Sequence, residues 1–253
     1  MSLYGSDLVP EEIGGHQGHR TKTCSSTMDL AWDLAGRNLL PEFAFVRAET
    51  QTHGRGQFGR TWVSAPGNLF VTVRLPDAAE ILDTLLPLGL GLILVQTLET
   101  LRVPARIKWP NDILVGLSKV GGILVEKRGP VIMAGLGVNI CFAPESSLLE
   151  NFFHIKSGCL AESGVNLEAS DLWALVLEQI KGRIPRMMSD PLTVVEDTGA
   201  VLAFQGETMV LEETGDSDGP GRITGIDAQG GLIIETIKGI RSIRRGRIVP
   251  RVV

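Results

Sequence analysis

The chain has 253 residues, 43% hydrophobic and 21% charged, with a formal net charge of −5. These proportions suit a globular protein with a real core, built as one large domain or a larger one plus a small one. The acidic balance argues against a general nucleic-acid binder. Cys24, Cys141 and Cys159 are widely spaced and lack a C-x-x-C pair, which disfavours zinc and predicts buried free thiols in a reducing compartment.

Residues 1–21 are polar, with Gly14, Gly15, Gly18, His16 and His19, and are expected to form a loose lead-in too short for a helix-turn-helix domain. No basic start followed by an apolar core marks a signal peptide. Ser25, Ser26 and Thr27 precede Met28, Leu30, Ala31, Leu34 and Ala35, which fit one helical face, with Asp29 as the acid of the first turn. A hydroxyl there can cap the helix, or face a ligand at the positive end of its dipole.

Residues 43–48 read as a strand, and residues 68–75 as a second strand with Leu69, Val71 and Val73 alternating. Between them lies Q-T-H-G-R-G-Q-F-G-R-T-W, residues 51–62. Gly54, Gly56 and Gly59 let the backbone approach a ligand closely, and Arg55 and Arg60 add permanent charge, so the stretch reads as an oxyanion cradle or as a mobile surface loop. Strand–loop–strand placement excludes the dinucleotide-binding and P-loop fingerprints, which open onto helices.

Residues 79–101 are predicted as a long core helix kinked near Pro87. Its most apolar part, residues 84–98, is shorter than the ~20 residues that span a bilayer. Residues 106–112, ending K-W-P-N-D, read as a strand running into a polar turn, with further strands at 113–115, 120–127 and 131–140. Residues 171–184 form an amphipathic pattern with Ser170 as the expected cap. From Val201 onward the texture is short alternating segments at 208–211, 221–226, 231–236 and 240–249, with a hairpin turn at 227–230.

Four elements stand apart from core and turn: the glycine loop, K-W-P-N-D at 108–112, K-V-G-G-I-L-V-E at 119–126 and G-L-G-V-N at 135–139. Each lies at or beside a strand end. Lys119 follows Asp112 by a spacing that a short hairpin would fold back, although a lysine at a strand edge also guards against aggregation.

Together with Ser26-Thr27, these motifs resemble the signature set of biotin–protein ligases, of the short type without an N-terminal DNA-binding domain. The resemblance runs from about Thr23 to the C-terminus and includes the G-x-I-x-G-I-D-x-Q-G-x-L segment. It implies an α+β fold: a central mixed sheet with helices, like that of class II aminoacyl-tRNA synthetases, followed by a small SH3-like β-barrel. The corresponding divisions are a loose segment at 1–22, a catalytic domain at 23–198 and the barrel at 199–253.

The resemblance also implies the reaction. Biotin is activated by ATP with Mg2+ as biotinyl-5′-adenylate, then transferred to a lysine of a biotin carboxyl carrier domain, in the cytoplasm, with neither DNA nor membrane as partner and with a homodimer possible. Catalytic roles fall to Lys119, Arg55 and Asp112, the last also as a metal holder. Biotin contacts fall to Ser26, Thr27, Gln51, Gly54, Arg55, Trp62, Lys119, Gly122, Gly135 and Gly137. Nucleotide contacts fall to Arg55, Gln57, Arg60, Trp62, Lys108, Asn111 and Asn139. Arg60 would clamp phosphate or merely brace the loop.

Two positions depart from the family pattern. Gln57 stands where another arginine is common, and Met28 where an asparagine often follows the Ser-Thr pair. The first predicts weaker retention of the adenylate; the second opens the neighbouring specificity for lipoate or another small acid. A catalytically weakened biotin-binding relative, or a biotin-sensing regulator, would be the non-enzyme readings. The basic cluster Lys238, Arg241, Arg244, Arg245, Arg247 and Arg251 interleaves with isoleucines and reads as a solvated strand face, with carrier docking, ATP phosphate contact or nucleic acid as alternatives.

Overall fold

The computed structural model describes residues 7–144, 155–212 and 220–250. The chain enters the main sheet earlier than its sequence suggests. Strands β1 (Val9–Ile13) and β2 (His16–Cys24) form an antiparallel hairpin, so most of the expected loose lead-in is sheet edge. A hairpin at an edge needs few apolar residues: only Ile13, Gly18, Thr21 and Cys24 of these two strands are buried, too sparse a pattern to read.

β2 runs parallel to β3 (Phe45–Gln51), and β3 leads through the glycine loop to antiparallel β4 (Leu69–Leu75). Strands β5 (Ala105–Lys108), β6 (Asp112–Val115), β7 (Ser118–Arg128) and β8 (Val131–Val138) complete an eight-stranded mixed sheet of order β1-β2-β3-β4-β8-β7-β6-β5. The four strands at 68–75, 113–115, 120–127 and 131–140 thus form where expected, within one or two residues at most ends.

Both faces of this sheet are covered, which the two-residue alternation of side chains permits. Helix α1 (Thr27–Gly36) covers one face, where Met28, Leu30, Ala31 and Leu34 pack with Val46, Ala48 and Met133. The opposite face carries α2 (Leu86–Thr100) and α3 (Ala169–Ser189). There Phe45 of β3 meets Trp173 of α3 edge-to-face, with ring centroids 5.6 Å apart.

The core helix is not kinked at Pro87. Residues Asp77–Leu85 are 3-10 turns broken at Asp83, and Pro87 sits in the first turn of α2, where its missing N–H costs nothing. Counted together, Asp77–Thr100 are 24 residues, long and apolar enough to cross a bilayer, but 67% of the apolar window is buried inside the fold. α3 begins two residues before the expected segment: Ala169 is its first residue and Glu168 flanks it, so Ser170 lies inside the helix and is not its cap. A further helix, α4 (Leu192–Val201), was not foreseen and crosses the expected 198/199 division.

Beyond α4, strands β9 (Thr208–Glu212), β10 (Pro220–Ile226), β11 (Leu232–Thr236), β12 (Gly239–Ile243) and β13 (Arg247–Pro250) form an antiparallel sheet of order β12-β11-β10-β9-β13. The segment expected as one strand at 240–249 is two, because Gly246 turns the backbone at φ 128°. The turn between β10 and β11 reaches back to the main body. Asp227 Oδ1 accepts from the N–H groups of Gln229 and Gly231, both at 2.8 Å. Gly230 O then accepts from Trp109 Nε1 at 2.9 Å. Arg251 lies outside the described residues.

Candidate active site

One cleft of about 760 Å³ opens on the main sheet and gathers nearly all the residues singled out by sequence. Gly54 is the exception, and lines a neighbouring cavity of about 860 Å³ that shares the glycine loop as a wall.

At one end of the cleft, Ser26 and Thr27 stand at the start of α1. Ser26 Oγ accepts from Met28 N–H at 3.2 Å, so this hydroxyl caps the helix. Thr27 is tied to β3 instead. Its N–H and Oγ1 both donate to Gln51 Oε1, at 2.8 and 3.2 Å, and Thr72 Oγ1 donates to Thr27 Oγ1 at 3.0 Å. Gln51 Nε2 donates onward to Ser64 Oγ at 2.9 Å. These bonds form a partly buried polar network with spare capacity: the Gln51 amide has a second N–H, and the hydroxyls have lone pairs left over. Ser64 and Thr72 were missed by the sequence reading; a threonine between Val71 and Val73, on a strand buried on both faces, was the available signal.

Met28 and Trp62 shape the middle of the cleft. Met28 is buried, and its Cε lies 3.1 Å from where a Cβ on Gly135 would stand. The Trp62 indole lies on Gly137 and Gly122, whose added Cβ atoms would come within 2.7 and 3.0 Å of its ring. These glycines therefore serve the tryptophan directly. Trp62 Nε1 is buried without an acceptor among the described residues, a donor oriented for something a ligand could supply.

The charged corner comes from β5, β6 and β7. Asp112 Oδ2 meets Lys108 Nζ at 3.0 Å and Oδ1 meets Lys119 Nζ at 2.5 Å. Burial alone would raise the Asp112 carboxyl, but the Lys119 and Lys108 ammoniums outweigh it and hold the group well below the usual carboxylate range. Lys119 is aimed by a β-bulge. Ile113 pairs with Gly121 and Leu114 with Lys119, so Val120 is the extra residue and turns into the core. Lys119 is fixed from its other side as well, donating its N–H to Lys156 O at 2.7 Å and accepting from Gly158 N–H at 2.9 Å. Its Nζ also lies 5.2 Å from the Trp62 ring centroid.

Asn111 and Asn139 are structural as well as cleft-lining. Asn111 Nδ2 donates to Ile123 O at 2.6 Å, and Asn139 Nδ2 to Gly158 O at 3.0 Å, while Asn139 Oδ1 is buried without a donor among the described residues.

The glycine loop is a hairpin with its neck at the Arg55–Thr61 bridge. Trp62 N–H donates to Gly54 O and Gly56 N–H to Arg60 O, each at 2.8 Å. Gly54 must be glycine: a Cβ would stand 2.4 Å from Trp62 O. The tip is exposed, with Phe58 at φ 57° and Arg60 5.7 Å from its ring. Arg55 differs from its expected posture as a phosphate clamp. Its guanidinium pairs with Asp29 of α1 through one terminal nitrogen and with Glu126 of β7 through the other, and neither acid is expected from the sequence as its partner.

The metal role expected of Asp112 meets a competing arrangement. Both its oxygens are occupied by ammonium groups, and among the described residues no three His, Cys, Asp or Glu side chains cluster as ligands. A divalent cation at Asp112 would face two like charges at hydrogen-bond range.

A polar end, an indole-covered floor, one buried ammonium and one half-buried on one mixed sheet define a site for a small anionic ligand. Comparison with known proteins names the family. Residues 21–141 match the biotin/lipoate A/B protein ligase family. The biotin--[acetyl-CoA-carboxylase] ligase of Mycobacterium tuberculosis is 30% identical over 240 residues, covering 90% of this chain and 88% of that protein. The bifunctional ligase/repressor BirA of Bacillus subtilis is 29% identical over 244 residues, covering 93% and 74%. The solved biotin protein ligase from Aquifex aeolicus in complex with biotin and ATP has a TM-score of 0.80 at 26% identity, covering 92% of this chain and 97% of that one. The chain belongs to the biotin/lipoate A/B protein ligase family.

Proposed function

We propose that this chain is an ATP-dependent biotin–protein ligase. A biotin carboxylate oxygen attacks the α-phosphorus of ATP, the bond from that phosphorus to the bridging oxygen breaks, and pyrophosphate leaves. In the second step the amine of a carrier-domain lysine attacks the acyl carbon of biotinyl-5′-adenylate. AMP departs with the acyl-bound oxygen, the amine loses a proton, and an amide remains. The observation that carries the reading is that Lys119, the Thr27–Gln51 network and the glycine loop line a single cleft. The likeness to a relative solved with biotin and ATP supports it.

Joining two anions requires fixed positive charge at the reacting centre. Lys119 supplies it, bridging the carboxylate and the α-phosphate, with Lys108 behind it and Asp112 holding both ammoniums in place. Thr27 and Gln51 hydrogen-bond the ureido ring, Ser26 fixes the helix start that presents Thr27, and Trp62 packs on the apolar parts of the ligand. Gly122, Gly135 and Gly137 keep the floor low. Asn111, Asn139, Gln57 and Arg60 face the nucleotide. Mg2+ belongs with the triphosphate in this reading; Asp112 does not hold it.

The carrier domain of a biotin-dependent carboxylase is the acceptor, and the setting is the cytoplasm, where ATP is supplied. Strands β9 to β13 form the small C-terminal module, and homodimerisation through a sheet edge is checked by sedimentation. Incubation with ATP, Mg2+, biotin and a carboxyl-carrier domain, followed by intact mass, should show one biotinyl group per carrier. Transfer of lipoate or octanoate in preference to biotin, or no added mass, would overturn the reading.

A further inference from the structure

Arg55 is the one charged member of the glycine loop's neck, and its partners come from two elements on either side of the loop. Asp29 stands in the first turn of α1 and Glu126 on β7. Glu126 is itself held: Trp32 Nε1 donates to its Oε2 at 2.9 Å, and Arg128 approaches the same oxygen at 3.7 Å. Arg128 also lies 4.3 Å from the Trp32 ring centroid. Two cations and two anions thus form a neutral cluster that links α1, β7 and the loop.

The charge balance decides what Arg55 can do. If its guanidinium swung to a phosphate, Asp29 would lose its cation and Glu126 would keep only Arg128, both beside a polyanion, and the repulsion would oppose the gain. A guanidinium cannot shed its charge to escape this. Held by both acids, it fixes the loop at the Arg55–Thr61 bridge and leaves residues 56–60 to adapt.

We infer that Asp29 and Glu126 are positioning residues that pin the glycine hairpin through Arg55, so that the pinned loop retains the activated acid between the two half-reactions. The retention part rests on the ligase reading above; the pinning part does not.

The experiment has two arms on the full chain. In the ligand-free protein, amide hydrogen exchange across residues 54–62 reports the pin itself. Asp29→Asn and Glu126→Gln should each speed exchange there about 5-fold, the worth of one partly exposed ion pair, and leave the rest of the sheet unchanged. In an Arg55→Ala background neither change should add anything, because the effect runs through the guanidinium. Unchanged exchange, or equal effects with and without Arg55, would overturn the pin.

The second arm follows release of biotinyl-5′-adenylate after pyrophosphate is removed. Release should quicken by a similar factor in both variants, roughly 5-fold, with biotin affinity unchanged. Slower release or tighter ATP binding would instead show that the acids hold Arg55 back from phosphate, and the inference would fall. If the wild-type chain forms no adenylate at all, the ligase reading fails, while the exchange arm still decides the pin.

Discussion

The charged corner and the glycine hairpin face each other across one cleft, yet they are built in opposite ways. The corner is held by backbone on every side: Asp112 and Lys119 sit in paired strands, and Ile123 N–H donates to Asn111 O at 3.0 Å. Its charges are largely removed from solvent and neutralise one another in a fixed geometry. The hairpin has a short backbone ladder at its neck, an exposed tip with Phe58 69% accessible, and side-chain ion pairs as its tie to α1 and β7. Transition-state charge is stabilised most by groups that need not move. An intermediate that must be first enclosed and then surrendered to a second protein needs a wall that can move. The cleft divides these tasks between its two sides.

The corner should break first and hardest. Lys119→Ala removes the central cation, and adenylate formation should fall about 10²–10³-fold, as for the loss of one preorganised donor. Single-turnover formation of biotinyl-5′-adenylate measures this, and a variant at wild-type rate would remove Lys119 from the chemistry. Asp112→Asn removes the carboxylate that Lys108 and Lys119 share. A cost of about 3 kcal/mol is expected in denaturant unfolding, the lower range for breaking a buried pair. The same pair sets an acid limit. A carboxyl held below its ordinary value of 3.8 contributes its full stability above that pH, and loses it progressively as pH falls further toward the folded value. The wild type should therefore lose stability more steeply than Asp112→Asn below about pH 4. Parallel acid limbs would show that the ion pairs carry little.

Much of this corner was legible because its residues are near neighbours in sequence, and the turn chemistry of W-P-N-D is a local signal. The bulge at Val120 was not legible, since it depends on how β7 registers against β6. The same limit hid Arg55's true partners, which lie 26 and 71 residues away. It also hid the β1–β2 hairpin, whose polar strands carry too few buried residues to declare a period. Pro87 misled in the other direction: proline ends or begins a helix by the same missing N–H, and only the packing of the preceding turns settles which. Gly122 and Gly137 are expected from the sequence to touch a ligand; they line the cleft, and the indole of Trp62 is what their missing side chains admit.

That contact gives the next test, at the seam between the rigid side and the adaptable one. In Gly137→Ala the new methyl would stand 2.7 Å from the Trp62 ring, so the indole must lift and take the end of the hairpin with it. Overpacking of this kind costs about 1–3 kcal/mol, but here the hairpin can yield instead of the sheet. Thermal stability should therefore change little, while KM for biotin rises and Trp62 fluorescence shifts toward that of an exposed indole. A large drop in stability with KM unchanged would mean that the hairpin is as rigid as the corner.

The smallest expected effect belongs to Gln57, at the hairpin tip. Its side chain lines both cavities, where an arginine is common in the family and where only Arg60 adds charge beyond the neck. Gln57→Arg restores one cation on a solvent-facing loop, so the gain is that of an exposed ion pair, roughly 2- to 5-fold slower release of the adenylate. Acceptor-independent labelling of bystander lysines should fall by the same factor, and the difference should shrink in high salt as exposed charges are screened. If release is equally slow with glutamine and arginine, the tip does not govern retention. The neck, with Arg55 between Asp29 and Glu126, would then be the part of the hairpin that does.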